Sequence, residues 1–194
     1  TFKLMTSYPI ILTFNGDQFD LRYLRYRATR LGIPRREIPI ILGRQSTHIV
    51  TGIHIDLYRF FSNKSVQVYA FGNKYKDVTL DAIAHALLGI SKIPLDRLIA
   101  ELTYFELASY CFRDAYLTLS LTTFDKDLVM KLIILLMRIS KLSMEDVTRQ
   151  GVSGWIKNML YFEHRKRNYL IPEREDILAI KGGAVTRAII KGKK

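Results

Sequence analysis

A single cysteine, Cys111, among 194 residues leaves no partner for an internal disulfide and suits a reducing compartment. That thiol is expected to behave as a small buried apolar side chain. Long apolar runs are missing too. The longest candidate, 128–139, is interrupted by Lys131 and Arg138. It falls short of the roughly 20 residues that a membrane-spanning helix needs, so it reads as a packed helix. The opening residues carry no charged-then-apolar pattern of a secretory leader. Neither a second His nor a Cys stands at metal-ligand spacing from His85, which reads as a packing or surface residue. There is no internal repeat and no low-complexity tract. Acidic residues are scarce, with 18 Asp and Glu against 30 Lys and Arg, a net charge of +12. The excess is uneven: from residue 128 onward fourteen Lys and Arg face six Asp and Glu, a net of +8. A surplus so placed favours a polyanionic partner, most simply nucleic acid, although an ordinary solvated surface would carry it as well. The length suffices for one domain with a real core, or one domain and part of another.

What the chain does have is a stretch around which the rest can be ordered, Tyr8-Pro9-Ile10-Ile11-Leu12-Thr13-Phe14-Asn15-Gly16-Asp17-Gln18-Phe19-Asp20. Residues 10–14 are β-branched, apolar and aromatic, as suits a buried strand. Asn15-Gly16 breaks the strand. From 20 to 31 apolar and long side chains recur at helical spacing, and Gly32 with Pro34 ends the helix. Asn15 and Asp20 are thereby placed at the carboxyl end of a strand, beside a helix N-terminus, where carboxylate oxygens can hold a divalent cation. The competing reading is that Asp17 or Asp20 merely caps the helix.

The prolines near 35–43 make that segment a connection or an edge rather than a central strand. Residues 47–58 alternate and suggest one or two strands, with Gly52 as a candidate bulge and Asp56 near the end of the second. Phe60 to Asn63 is read as the start of a turn, and 66–71 as a further strand or an irregular apolar segment. Thr79 is a good N-cap for a helix stopped by Gly89. A longer helix, in one piece or two, is expected from about 95 through 121. Another is expected from 128 to 141, then a break at Leu142-Ser143-Met144 with Ser143 as an N-cap, then a helix over 153–168. Its last turn holds Arg165-Lys166-Arg167, which would favour the helix C-terminus or contact DNA. Residues 173–194 read as a basic linker.

Tyr110 and Asp114 are four residues apart and share one helix face. A hydroxyl and a carboxylate projecting together can orient and activate a water near a metal. Alternatively, Tyr110 stacks at the surface and Asp114 pairs with Arg113 or Lys126. In chain order, then, stand Asn15-x-x-x-Phe19-Asp20 and Tyr110-x-x-x-Asp114. Together they resemble the second and third exonuclease motifs in the proofreading domain of family B DNA polymerases. The segments HIDLYRFF (54–61), YAFGNKYKDVTLDAIAHALLG (69–89) and ELASYCFRDAYLT (106–118) are similar to the archaeal members. So is ISKLSMEDVTRQGVSGWIKNMLYFEHRKRNYLIP (139–172), which is similar to the helices leading into the polymerase palm.

The resemblance covers nearly the whole chain and implies an α/β fold. It implies a ribonuclease H-like (DEDDy exonuclease) domain over 1–127, followed over 128–194 by helices and a linker leading into the palm. Such a domain uses four carboxylates, two divalent ions (Mg²⁺ or Mn²⁺) and a tyrosine. Asp20 and Asp114 would be the acidic residues of the second and third motifs and metal ligands, and Tyr110 would orient the attacking water. Asn15 and Phe19 would position the 3′-terminal nucleotide of DNA, and Arg165, Lys166 and Arg167 would track phosphates. Asp56 is read as a supporting or structural residue. A sliding clamp and accessory subunits are implied partners, no membrane is, and the implied location is cytoplasmic.

The Asp-x-Glu of the first exonuclease motif does not occur near the start, and the polymerase motifs with their catalytic aspartates are not found after the palm-leading helices. The chain is therefore expected to be an internal piece of a replicative polymerase, lacking the opening strands of its sheet, with exposed sheet edges. With two of the four carboxylates it is expected to be inactive alone. A non-catalytic DNA-binding or assembly subunit of a split polymerase, and a stand-alone exonuclease, remain as alternatives.

Overall fold

Where β-branched residues meet a polar break, the chain forms a short strand and turns. The structure, a computed structural model, describes residues 1–44, 46–94 and 97–171. After a first helix α1 (Phe2–Ser7), β1 (Ile10–Thr13) leads into α2 (Asp20–Arg30). A 3₁₀ turn (Arg35–Glu37) precedes β2 (Ile40–Leu42), β3 (Thr47–Ile49) and β4 (Ile53–Asp56). Then come α3 (Leu57–Phe61), a π-helical turn (Val66–Ala70), α4 (Leu80–Leu88), a 3₁₀ turn (Ile99–Glu101), α5 (Tyr104–Ser140), α6 (Met144–Arg149) and α7 (Val152–Lys166).

The architecture is mixed α/β. β1 and β4 run parallel, with Ile10 opposite Ile53 and Thr13 opposite Asp56. A parallel pair needs a crossover, and residues 14–52 supply it, carrying α2 and the antiparallel pair β2–β3. Because the two parallel strands end at the same level, Asp56 lies directly beside the turn that leaves β1. The main core gathers Ile55, Leu57, Phe60, Phe61, Ile83, Leu117, Leu121, Val129, Ile133 and Val147. A smaller cluster of Met5, Leu21, Ala28, Ile38, Ile40 and Ile49 seats α1 and α2 on β2 and β3. Side chains from both sides of residue 127 share the main core.

Several expectations hold in place. Thr79 caps α4, accepting from the Ala82 amide at 3.1 Å, and Gly89 ends it at φ 69°. Ser143 caps α6 through the Asp146 amide at 3.1 Å. The segment 47–56 forms two strands; Gly52, expected as a bulge, lies instead in the turn between them. A Cβ there would meet the Pro9 carbonyl oxygen at 3.0 Å, a tight contact that glycine avoids as the turn passes the start of β1.

Others differ, for physical reasons. Tyr58 and the Phe60-Phe61 pair are helical rather than strand and turn. Leu57, Phe60 and Phe61 stand at i, i+3 and i+4 and are all buried. Burial of such side chains stabilises by roughly 1.5–3 kcal/mol each, which overrides a local strand preference of about 1 kcal/mol. Residues 66–70 form a π-helical turn, not a strand: Val66, Gln67 and Phe71 are buried, and the Gln67 side chain donates to the Tyr75 carbonyl at 2.6 Å. The long helix begins at Tyr104 rather than near 95, because Thr103 and Glu106 form a reciprocal capping box. Its break falls at Phe124, which is extended, and Asp125, Lys126 and Asp127, which all have positive φ. Cys111 is exposed, not buried, since α5 reaches the core only from Leu117 onward. α7 starts behind Gly151, one residue earlier than expected. The expected linker 173–194 and the expected helix start at 95 lie outside the described residues.

Candidate active site

Two carboxylate pairs are built around the turn after β1. Asn15 adopts φ 69°, a left-handed conformation that asparagine tolerates better than most residues. Gly16 is buried, and a Cβ there would fall against the Thr13 side chain, 2.5 Å from its Cβ. The elbow is pinned from behind. Asp56 accepts the amides of Asn15 (2.7 Å), Asp17 (3.0 Å) and Tyr58 (3.1 Å), so the same carboxylate caps α3 and holds the elbow. Burial pushes the Asp56 carboxyl up, and the amides of Asp17 and Asn15 pull it down again. The expectation of a supporting role for Asp56 thereby gains its geometry.

Neither Asp17 nor Asp20 caps α2. Phe19 occupies the N-cap position, with no side-chain capping hydrogen bond. Asp17 is fully buried and turned inward, its Oδ1 accepting the Thr47 amide at 2.7 Å. Asp20 opens α2 facing outward. Burial raises its carboxyl above the ordinary value, its own amide and His54 oppose that, and the charge of Asp114 raises it further. Asp20 and Asp114, 94 positions apart in the chain, therefore act on each other electrostatically.

Tyr110 and Asp114 share a face of α5, as their spacing requires. Asp114 pairs with neither Arg113, which donates to the Ser91 carbonyl, nor Lys126, which lies in the irregular segment. Its partner is Lys92, whose ammonium sits 2.7 Å from Asp114 Oδ2 and donates to the Tyr110 hydroxyl at 3.0 Å. Burial pulls Lys92 down, but the hydrogen bonds and charges of Asp114 and Tyr110 more than offset this and hold it above its ordinary value. The other oxygen, Asp114 Oδ1, is buried without a hydrogen-bond partner. Lys92 has no motif spacing relative to Tyr110 or Asp114, so the residue pattern could not single it out.

Phe19 is 66% exposed and stacks on Tyr23, with ring centroids 6.3 Å apart and planes 8° from parallel. Arg165, Lys166 and Arg167 are exposed at the end of α7, which packs on α5; Arg167 reaches Glu163 of its own helix at 3.6 Å. These three are not joined to the Asp20–Asp114 pair by any contact in the described residues. Among the described residues, no group of three or more His, Cys, Asp or Glu could hold a metal ion. The arrangement thus offers two carboxylates within electrostatic reach of each other, and a lysine that joins one of them to a tyrosine hydroxyl.

The chain as a whole resembles known polymerases. Residues 1–82 match the family model for "DNA polymerase family B, exonuclease domain". Along its whole length the chain is similar to one segment of archaeal DNA polymerases, and within that segment residues 1–82 match the family B exonuclease domain. It is 53% identical over 193 residues to DNA polymerase 1 of Saccharolobus solfataricus, covering 99% of this chain and 22% of that protein. It is 45% identical to DNA polymerase 1 of Aeropyrum pernix, covering 99% and 20%. The chain thus spans about a fifth of the length of these relatives. In fold it is similar to the family B DNA polymerase of Pyrobaculum calidifontis, with a TM-score of 0.70 at 19% identity over 90% of this chain and 23% of that one.

Proposed function

We propose that this chain supplies one side of the 3′–5′ proofreading exonuclease site of a DNA-directed DNA polymerase, within a ribonuclease H-like, DEDDy-type domain over 1–127. Residues 128–194 then lead toward the palm. The observation that carries the reading is that Asp20, the first residue of α2, feels the charge of Asp114, which shares Lys92 with Tyr110 on α5.

A phosphodiester is anionic and resists attack. Divalent ions, Mg²⁺ or Mn²⁺, supply a polarised nucleophile and neutralise the leaving oxygen when bound. Asp20 and Asp114 would hold them, since hard carboxylate oxygens suit those ions. The donor set fits: the charge of Asp114 raises the Asp20 carboxyl, and Asp114 Oδ1 is left without a partner. The remaining two carboxylates of such a site are expected from the first exonuclease motif of the family. Tyr110 can accept one hydrogen bond and donate another, which suits it to orient a water beside Asp114. Lys92 fixes the Asp114 rotamer by holding Oδ2. The exposed Phe19–Tyr23 stack offers a platform for the terminal base, and the Asn15 elbow forms the wall beside it. Arg165, Lys166 and Arg167 would contact phosphates elsewhere along the strand. A sliding clamp, accessory subunits and a cytoplasmic location follow from the family reading.

In the complete polymerase, Asp20→Ala or Asp114→Ala should lower digestion of single-stranded DNA from its 3′ end by roughly 10²–10³-fold, the scale seen when a group acting on transition-state charge is lost. Polymerisation should persist. Exonuclease left at the wild-type rate in either variant overturns the site. The purified chain, with two of the four carboxylates, should digest single-stranded DNA negligibly in Mg²⁺.

A further inference from the structure

We propose that Arg149, on α6, is a positioning residue for the elbow 15–20, so that the placement of Asp20 depends on a segment lying well after the exonuclease motifs. The proposal deepens the reading above and rests on it where activity is concerned; the geometry stands apart from it.

Arg149 closes α6, and its side chain is 11% exposed. Its guanidinium makes a fork on Asp17, Nε to Oδ2 and Nη2 to Oδ1, both at 3.2 Å. Nη2 also donates to the Thr47 carbonyl at 2.8 Å and lies 3.1 Å from His54 Nδ1, while Nη1 donates to Glu145 Oε2 at 3.2 Å. Glu145 in turn accepts the His54 amide at 2.7 Å and faces His48 Nδ1 at 2.9 Å. Arg149 is thus the cation that forks onto a carboxylate with no exposed surface.

Asp17 cannot move without the elbow. Its amide donates to Asp56, its carbonyl accepts from Arg22 Nε at 2.8 Å and the Thr47 hydroxyl at 3.1 Å, and its carboxylate takes the Thr47 amide. Asp20 lies three residues on. The Asn15 carbonyl ties the intervening turn by accepting the amides of Gln18 (3.2 Å) and Phe19 (3.1 Å). Removing Arg149 takes the fork from a buried carboxylate and leaves it facing His54 Nδ1 at 3.5 Å, a loss of pairing relieved when the charge moves toward water. Any such movement carries Asp20 with it, and displacements of about 1 Å at a reacting centre cost up to roughly 10²-fold in rate. Residues that orient metal ligands from behind behave in this way generally.

The test uses the complete polymerase carrying Arg149→Met or Arg149→Lys, with Asp20→Ala as reference. Arg149→Met should lower the exonuclease kcat by roughly 10²-fold, with KM for single-stranded DNA and the polymerisation rate nearly unchanged. Arg149→Lys, which restores charge but not the fork, should recover part of the loss. In the purified chain, Arg149→Met should speed hydrogen exchange at the Asn15 and Asp17 amides at least tenfold more than in α4, where local opening differs from global unfolding. Wild-type exonuclease, equal loss of exonuclease and polymerisation, or unchanged exchange at the elbow would each overturn the proposal. If Arg149→Met does not fold, Asp17→Asn combined with Arg149→Met removes both charges; wild-type exonuclease in that variant also overturns it. Retained exonuclease in Asp20→Ala would instead refute the site assignment, and the exchange measurement would still decide the role of Arg149.

Discussion

Asp17 and Asp56 lie behind the elbow, Asp20 and Asp114 in front of it, and the fold treats the two pairs differently. Behind, every carboxylate oxygen has a donor: three amides converge on Asp56, and an amide and an arginine fork on Asp17. In front, Asp20 relies on its own amide while Asp114 pushes its carboxyl up, and one Asp114 oxygen is buried with no partner at all. A polar group taken from water without a partner costs free energy, so a native fold that leaves one short has a use for the deficit. The rear pair builds backbone geometry. In the proposed site the front pair would receive positive charge from outside the chain; Lys92 already holds one Asp114 oxygen.

The sharpest way to break this contrast is to remove one member of each pair in the purified chain. Asp17→Ala should destabilise by about 3–5 kcal/mol, because it takes a buried carboxylate away from both the Arg149 fork and the Thr47 amide. Asp20→Ala should stay within about 0.5 kcal/mol, as for ordinary surface changes. Denaturant midpoints at constant slope check both, and equal costs would mean that the two pairs do not differ in kind. A smaller effect is expected on the elbow itself. Gly16→Ala pushes a methyl group into Thr13 and should cost about 1–3 kcal/mol, the range for overpacking. Phe19→Ala, on the exposed side, should leave the unfolding midpoint almost unmoved.

The smallest effect is in pH dependence. Burial alone would raise Glu145, but the His54 amide, His48 and the Arg149 charge hold it below its ordinary 4.5. A carboxyl lowered on folding contributes stability that is present above 4.5 and is lost as pH falls through its folded value. Asp20 and Asp56 are raised, so their contributions run the other way: present below 3.8, lost as pH rises through their folded values. Comparing the chain with Glu145→Gln isolates the first contribution. The gap in melting temperature should be full at neutral pH and shrink below 4.5; a gap constant across the acid range would remove Glu145 from the network behind the elbow.

Much of the front of the site was legible along the chain. Asn15, Phe19 and Asp20 follow a strand signal, and Tyr110 and Asp114 stand one helical turn apart, so local spacing alone puts each group on one element. The caps at Thr79 and Ser143 and the left-handed stop at Gly89 are equally local. The capping box at Thr103 and Glu106 was also written in the residues, yet the good helix formers before it drew the expected start too early. The helical spacing of Leu57, Phe60 and Phe61 was masked by strand-forming residue types, and burial decided between the two.

What the sequence determined by itself is therefore local: a strand that breaks at Asn15-Gly16, a helix face holding Tyr110 and Asp114, and a basic surplus toward the end of the chain. Spacing of a few residues fixes those, because strand and helix geometry repeat over that distance. Tertiary structure decided which aspartates are buried among donors, Asp17 and Asp56, and brought Lys92 to Asp114 and Arg149 to Asp17. Arg149 reaches Asp17 across 132 positions, a contact no periodicity encodes. Its value comes from low dielectric and excluded water, which exist only once α6 has packed against β4.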